Sequence, residues 1–477
     1  MANKAQIAEV SEEEETELAE SKRGFWLLIA LLVGIAVWLL PRPSGLAVQG
    51  HKYLALLAAL IVLFVTEAFP LPVVMGGAGG ALILFEIGEL EQVWTSYAHP
   101  VVFFVLGCLM LANIAEKVGL TKRLSNILLR YCGTNVVRFS FFSSLILGVA
   151  SALMHDVSAA TLGLMSIVPL MREAGIKPGS DTGKFMVIAL AFSCSVGGMG
   201  TLVGGGRNMV AVAFLAEFTG IQISFWEWFL HAMLPAVVTI PIVWGAVYLV
   251  FRPDTSISFS RDSLEESIAG SLSGEEKKTL LVIALVFIGF LTKEFHQLDY
   301  SVIVIFAVCL LVALGLVDWE YLNKRTAWAV SFLVFGGGIS LGRAMDYTGT
   351  AAYLAELFFP IFEGGNWFVL FVGVGIFASL LTQLMANVAS AALIMPIAVP
   401  MAQMMGIDPS IIALSLGMFT SFAYLMVIGC PPNVVAYSVG YFKASDLLKA
   451  GLLAQPAGIA FLSLVATLWW RILGIII

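Results

Sequence analysis

Charge is what this chain has least of: Asp, Glu, Lys and Arg make up 12% of its 477 residues, against 60% hydrophobic residues and a mean hydropathy of +0.95. A soluble chain of this length carries charge on roughly a quarter of its residues. The composition therefore excludes a soluble globular protein and points to a polytopic membrane protein, with the lipid bilayer as its solvent. No run of Lys and Arg interleaved with aromatics occurs, which removes nucleic acid as a partner. The five cysteines, Cys108, Cys132, Cys194, Cys309 and Cys430, have no metal-ligand spacing and read as small apolar fillers. The glycine-rich stretches carry no Gly-Lys-Ser/Thr pattern, so nucleotide binding is unsupported and no organic cofactor is expected. Outside the pair His155–Asp156 no nucleophile stands with a base at fixed spacing, and an enzyme is not expected.

The formal net charge of −7 comes partly from residues 1–23, an acidic tail closed by Lys22 and Arg23. The run "FWLLIALLVGIAVWLLP" that follows predicts a retained first span rather than a signal peptide. Lys22 and Arg23 beside it predict a cytoplasmic N-terminus. Further on, several apolar segments, among them 185–196, 208–217 and 434–441, fall short of the roughly 20 residues a helix needs to cross about 30 Å of hydrocarbon. Short segments joined by glycine or polar residues imply broken helices or re-entrant hairpins, tolerated only where protein or a watery cavity surrounds them. Trp94, Trp226, Trp228, Trp319 and Trp328 stand at segment edges, as an interfacial belt would place them. Glu67, Asp318, Glu320 and Asp346 also sit at span ends, as wet boundary residues or caps.

Two regions share one order. "ALMHDVSAATLGLMSIVPLM" is followed by "SVGGMGTLVGGGRNMVAV", and "TQLMANVASAALIMPIAVPMA" by "SFAYLMVIGCPPNVVAY". From Gly119 to Asp156 is 37 positions and from Gly349 to Asn387 is 38. Each polar pair leads into an apolar run with a proline thirteen positions on, Pro169 and Pro400, and each half closes with a break ending in Asn208 or Asn433. The spacing predicts a duplicated unit, residues 24–251 and 279–477, joined by a polar linker, 252–278. Paired interrupted segments of this kind point to a transporter site at the repeat interface. The basic, leucine-spaced stretch from Glu116 to Tyr131, with Lys117, Lys122, Arg123 and Arg130, reads as an interfacial helix.

With these motifs the chain resembles the divalent anion:sodium symporters, the citrate and dicarboxylate transporters of the sodium-sulfate symporter group, from about residue 24 to its end. Members of that family carry Ser-Asn-Thr at two hairpin tips and a loop like Gly-Gly-Met-Gly-Thr-Leu-Ile-Gly-x-Pro-Pro-Asn in each broken helix. Here the first loop runs Gly197, Gly198, Met199, Gly200, Thr201, Leu202, Val203, Gly204, Gly205, Gly206, Arg207, Asn208, and the second ends Gly429, Cys430, Pro431, Pro432, Asn433. The tips depart from the pattern: His155, Asp156, Val157 in the first and Ala386, Asn387, Val388 in the second. The resemblance implies an all-α polytopic membrane transporter with two inverted repeats, re-entrant hairpins and broken helices. It further implies a homodimer in the cell (inner) membrane that moves a small dicarboxylate-like anion with sodium by an elevator-type movement.

The departures bear on the site. Valine neither donates nor accepts, so a dicarboxylate held in the family manner loses contacts at Val157 and Val388. An aspartate at membrane depth requires a partner, and two stand open for Asp156: adjacent His155 and Arg207, which occupies a position where the family usually has proline. If Arg207 neutralises Asp156, a fixed cation takes over the first sodium position, and sodium-independent anion exchange follows. If instead Asp156 ligates sodium with Ser151, Gly200 and backbone carbonyls, Arg207 faces the cavity and forks an anionic substrate. A third role for Arg207 is interfacial snorkelling. His155 is open as an anion donor, a proton-coupling group or a structural break cap. In the second half Thr382, Ala386, Asn387 and the carbonyl of Gly429 resemble the second sodium site, with no charge among them. Thr201, Asn208, Pro432 and Asn433 complete the candidate set, each asparagine open to substrate contact or to capping of a helix break. An anion channel or sensor is the rival class, distinguished by a continuous hydrated path.

Overall fold

Backbone amides in hydrocarbon must bond within their own segment, and the chain answers with helices throughout. The computed structural model describes residues 23–66, 68–120, 133–259, 272–326, 328–362, 364–383, 386–427 and 429–474, and among them forms no strand beyond an isolated bridge between Asn135 and Ser258. The first half opens with α1 (Arg23–Leu39), α2 (Val48–Thr66), α3 (Leu71–Leu84), α4 (Leu90–Tyr97) and α5 (Pro100–Lys117). A hairpin follows, α6 (Val136–Met154) and α7 (Asp156–Glu173), then α8 (Asp181–Gly197) and α9 (Gly206–Thr219) as the two parts of a broken helix, then the long α10 (Phe225–Phe251).

The second half repeats that order. It runs α11 (Gly274–Leu291), α12 (Tyr300–Ala313), α13 (Trp319–Arg325), a π-helical stretch (Val330–Phe335) entering α14 (Gly336–Tyr347), and α15 (Thr350–Phe362). The second hairpin is α16 (Trp367–Leu381) and α17 (Asn387–Met404), the second broken helix α18 (Ser410–Phe419) and α19 (Pro431–Ser438), and the closing helix α20 (Ala444–Ile472). Six helices among the described residues are long and apolar enough to cross a membrane. The first hairpin and first broken helix each contain one, Val136–Met154 and Asp181–Gly200.

Sequence signals set the starts. Ser224 with Glu227 and Ser273 with Glu276 form capping boxes at α10 and α11, and Asn135 accepts from the amides of Val137 and Arg138 at α6. Helix α11 thus begins inside the 252–278 segment expected as linker. Packing follows small residues. Helices α10 and α20 lie along one another, burying Ala232, Ala236 and Ala246 of the first and Ala450, Ala454 and Ala466 of the second, because small side chains let backbones approach where lipid supplies no hydrophobic drive. A separate apolar core joins α2, α3, α4 and α14 through Tyr53, Leu57, Met75, Tyr97, Leu341 and Met345. An Arg343–Glu217 fork of 2.9 and 3.0 Å ties α14 of that core to α9 of the larger one.

Some expectations change here. Trp228 is fully buried and donates its indole N–H to the Met199 carbonyl at 2.9 Å, so it braces the first helix break rather than joining a belt. Trp94, Trp226 and Trp319 are exposed. Asp318 caps α13 and takes Lys117 Nζ at 2.6 Å, and this ammonium holds its carboxyl below the usual carboxylate range. Glu67, residues 1–22 and residues 121–132, with Lys122, Arg123, Arg130 and Cys132, lie outside the described residues.

Candidate functional site

The first hairpin reverses at a single residue between its two helices, and at each tip one residue caps the helix beyond it. At the first tip His155 holds φ +74° and ψ 140°, a backbone state a residue with a Cβ adopts under constraint. At the second Ala386 holds φ −60° and ψ 145°, ordinary extended backbone. Beyond the first tip the broken helix comes close enough that its glycines are required: a Cβ on Gly197 would run into the Gly148 carbonyl, and one on Gly198 into Asp156.

That approach brings Arg207 onto Asp156. The guanidinium Nη1 donates to Asp156 Oδ2 at 2.7 Å, Nη2 to the Ser195 carbonyl at 2.9 Å and Nε to Ser421 Oγ at 3.0 Å. His155 Nδ1 lies 3.1 Å from the other carboxylate oxygen. Asp156 is 1% and Arg207 2% exposed, so both charges are out of solvent and compensate one another. A snorkelling side chain keeps its charged head in water, and the Arg207 guanidinium, 2% exposed, is held by Asp156, Ser195 and Ser421 instead. Of the sodium ligands expected in this half, Ser151 donates to the carbonyls of Gly148 and Cys194, and Gly200 faces Ala152, Met233 and Ala236. Asp156 has its oxygens engaged by Arg207 and His155. Ser151 and Asp156 thus both have polar partners within the protein.

The second tip is built from neutral groups. Thr382 Oγ1 lies 3.0 Å from Asn387 Oδ1 and 3.4 Å from the Gly429 carbonyl, three oxygens close together with Ala386 at the cap of the same helix. Hard monovalent cations take such ligands. Val388 is half-buried against Gly206 beside the Phe335 ring, while Val157 is half-buried at the other tip.

Between the tips runs a chain of side-chain contacts that sequence reasoning missed. Ser195 Oγ donates to the Ser421 carbonyl at 2.7 Å and lies 3.1 Å from Cys430 Sγ, which takes Asn387 Nδ2 at 3.6 Å. Arg207 is thereby linked to Asn387 through Ser421, Ser195 and Cys430, and Cys430 is more than a filler. The signal was available, since Ser195 and Ser421 open the two matching break motifs. The named asparagines serve the breaks. Asn208 Nδ2 donates to the carbonyls of Gly198 at 2.9 Å and Thr201 at 2.7 Å, Thr201 itself donates to the Ala152 carbonyl, and Asn433 Nδ2 donates to Ala423 at 2.6 Å. Pro432 is buried in the first turn of α19. Gln383 and Gln455, unremarked in the sequence, hold the second break: Gln383 Nε2 donates to Ser379 and Phe422 carbonyls at 2.6 and 3.0 Å, and Gln383 Oε1 accepts from the Leu425 amide at 2.9 Å.

The comparisons agree with this architecture. The family described as the sodium:sulfate symporter transmembrane region matches residues 21–476. An uncharacterised transporter of Haemophilus influenzae is 24% identical over 434 residues, covering 88% of this chain and 92% of its own. A sodium-dependent dicarboxylate transporter, SdcS, of Staphylococcus saprophyticus is 24% identical over 432 residues, covering 84% of this chain and 82% of its own. The crystal structure of the YdaH transporter of Alcanivorax borkumensis shares the fold at a TM-score of 0.57 and 14% identity, over 89% of this chain and 98% of that one. With a family match over nearly its whole length and the two-repeat helical frame that carries it, this chain belongs to the sodium:sulfate symporter family of membrane transporters.

Proposed function

We propose that the protein is a secondary transporter of a small organic anion, in which Arg207 supplies the positive charge at the first tip and sodium is coupled through the neutral oxygens of Thr382, Asn387 and Gly429 at the second. The observation that carries this reading is the 2.7 Å pair between Arg207 and Asp156, both buried. A cation fixed by the chain repels a mobile one at the same place, and the paired carboxylate has little affinity left for sodium. The anion meets the tips, where His155, Val157, Asn387 and Val388 stand at the starts of α7 and α17. The positive ends of those two helices attract it without charged side chains. An elevator movement of the hairpins and broken helices in a dimer, within the cell membrane and with the N-terminus cytoplasmic, completes the proposal. Dicarboxylates, the class in the relative's name, are the first anions to test.

The same pair favours one second reading, sodium-independent exchange, in which the second cage does no coupling. Uptake of labelled succinate into proteoliposomes, empty or preloaded with unlabelled succinate, each with and without a sodium gradient, separates the two. Sodium-driven uptake into empty vesicles with a first-power dependence on sodium supports symport through one cage. Uptake only against internal anion, indifferent to sodium, establishes the exchanger. A second-power sodium dependence sinks the proposal that Arg207 has taken one sodium position.

A further inference from the structure

Helix α9, the second part of the first broken helix, lies beside α14 and the π-helical stretch that leads into it, and the two meet at three levels. At the first a Cβ on Gly206 would strike the Phe335 ring, and at the second a Cβ on Gly342 would strike the Phe214 ring. Each side thus gives one ring and receives one over a glycine, an approach that a larger residue would block. At the third level Glu217 grips the guanidinium of Arg343, which donates from Nε at 3.0 Å and from Nη2 at 2.9 Å, while Nη1 donates to Ser96 Oγ at 3.3 Å. The order 206, 214, 217 against 335, 342, 343 shows that the two run in the same direction and form one seam.

The seam joins two sets of helices. Helix α9 packs with α17 and α18, members of the second hairpin and second broken helix. Helix α14 packs with α3 and α4, where Gly337 and Gly336 face Met75 and Tyr97. The contact of α14 with α17 is also a glycine seat, since a Cβ on Gly338 would crowd Ala392. Among ion pairs between described residues, Arg343–Glu217 alone joins the hairpins and broken helices, α6–α9 and α16–α19, to α1–α5 and α11–α15. Rings on glycines fix a register by shape, and a two-bond fork fixes it by direction. A slide of a few ångströms along the seam would break both bonds of the fork and drive Phe214 off Gly342. Packed interfaces of this kind hold discrete positions and do not deform continuously.

Resting on the transporter reading and its movement of the hairpins and broken helices, we propose that the seam between α9 and α14 is a latch in the transport cycle. The ring seats set one register of the moving helices against α3 and α4, the fork of Glu217 and Arg343 locks it, and each cycle opens the fork. Both partners are about one-third exposed, so water reaches the fork and it parts at modest cost, as a contact remade every cycle must. The fork stands ten positions beyond Arg207, about 15 Å along α9. Changes there leave the groups at the tips untouched, so the latch governs turnover and not binding.

The test is a reversible cross-link. Glu217→Cys with Arg343→Cys is joined in proteoliposomes by a short bifunctional thiol reagent that reduction cleaves, and is compared with the reduced protein, with each single variant and with the parent given the same reagent. The expected result is uptake of labelled succinate lowered at least tenfold in the linked protein and restored by reduction, while succinate still shifts its apparent melting temperature in detergent. Fully linked protein that transports at the reduced rate overturns the latch and leaves anion transport standing. Glu217→Gln, Arg343→Gln and their double variant test the fork without any reagent. Each single variant should change maximal turnover in the same direction, by about twofold to fivefold for a partly exposed pair, with the KM for the anion unmoved. The double variant should match either single one, because the two side chains act as one contact. Single variants that leave turnover unchanged, multiply in the double variant or move KM instead overturn the fork as the lock. A parent that takes up neither succinate nor any of a panel of small organic anions overturns the transporter reading, and the latch with it.

Discussion

The two hairpin tips stand in one frame and hold charge in opposite ways. Both lead into a capped helix, both meet a broken helix whose asparagine ties down the break, and both are joined by Ser195, Ser421 and Cys430. At the first, the chain carries its own cation and anion, Arg207 and Asp156, locked at 2.7 Å. At the second, Thr382, Asn387 and Gly429 offer oxygen and no charge. A duplicated scaffold can thus keep its geometry while one copy closes its electrostatics internally and the other leaves them to a ligand. Removing groups one at a time should therefore injure the two tips differently.

The largest effect is expected at the first. Arg207→Leu leaves Asp156 buried without its cation, which costs about 3–5 kcal/mol for a buried pair broken on one side. The expected outcome is a sharp fall in apparent melting temperature in detergent and no transport. Asp156→Asn together with Arg207→Pro removes both charges at once. Position 207 lies in the first turn of α9, where proline is tolerated. The double variant should recover most of the stability lost by Arg207→Leu and bind sodium at the first tip, seen as a steeper sodium dependence in a thermal-shift titration. A double variant as unstable as the single one would mean that Arg207 braces the fold through Ser195 and Ser421 more than through Asp156.

The frame and the tips were legible before any coordinates, because glycine runs, proline positions and polar pairs in apolar surroundings are local signals with local causes. Asp156 was open to either His155 or Arg207, and the structure brings it to both. What the chain did not disclose were contacts made across it. Cys430 looked inert until Ser195 and Asn387 were placed beside it, and Gln383 and Gln455 are 72 positions apart yet 3.2 Å from each other. Trp228 misled for a related reason: its position near the start of α10 suggested water, and packing against the first break buried it. A pocket beside His155 is lined by α5 and α11, helices of the two halves, and no spacing in the sequence predicts it.

A middle-sized effect belongs to the second tip. Thr382→Val takes one oxygen from the neutral cage without adding or stranding a charge, so the fold should tolerate it. The sodium concentration for half-maximal transport should rise about tenfold, the equivalent of one hydrogen-bond-sized ligand contribution. If sodium dependence is unaltered, the cage is structural and the exchanger reading gains.

The smallest effect is the sharpest comparison, because it should have opposite signs at the two tips. His155 sits at φ +74°, where glycine is at ease and a side chain with a Cβ is not. Ala386 sits at φ −60°, where glycine only adds freedom to the unfolded chain. Both His155→Gly and His155→Ala lose the contact with Asp156, so the difference between them isolates the backbone. The glycine variant should be the more stable by about 1 kcal/mol. At the second tip Ala386→Gly should be less stable than the parent by about 0.5–1 kcal/mol. Apparent melting temperatures of the parent and three variants, measured side by side in one detergent, give both differences. If glycine is less stable than alanine at 155 as well, the positive φ at the first tip carries no strain that glycine relieves, and the two tips differ in charge and not in backbone.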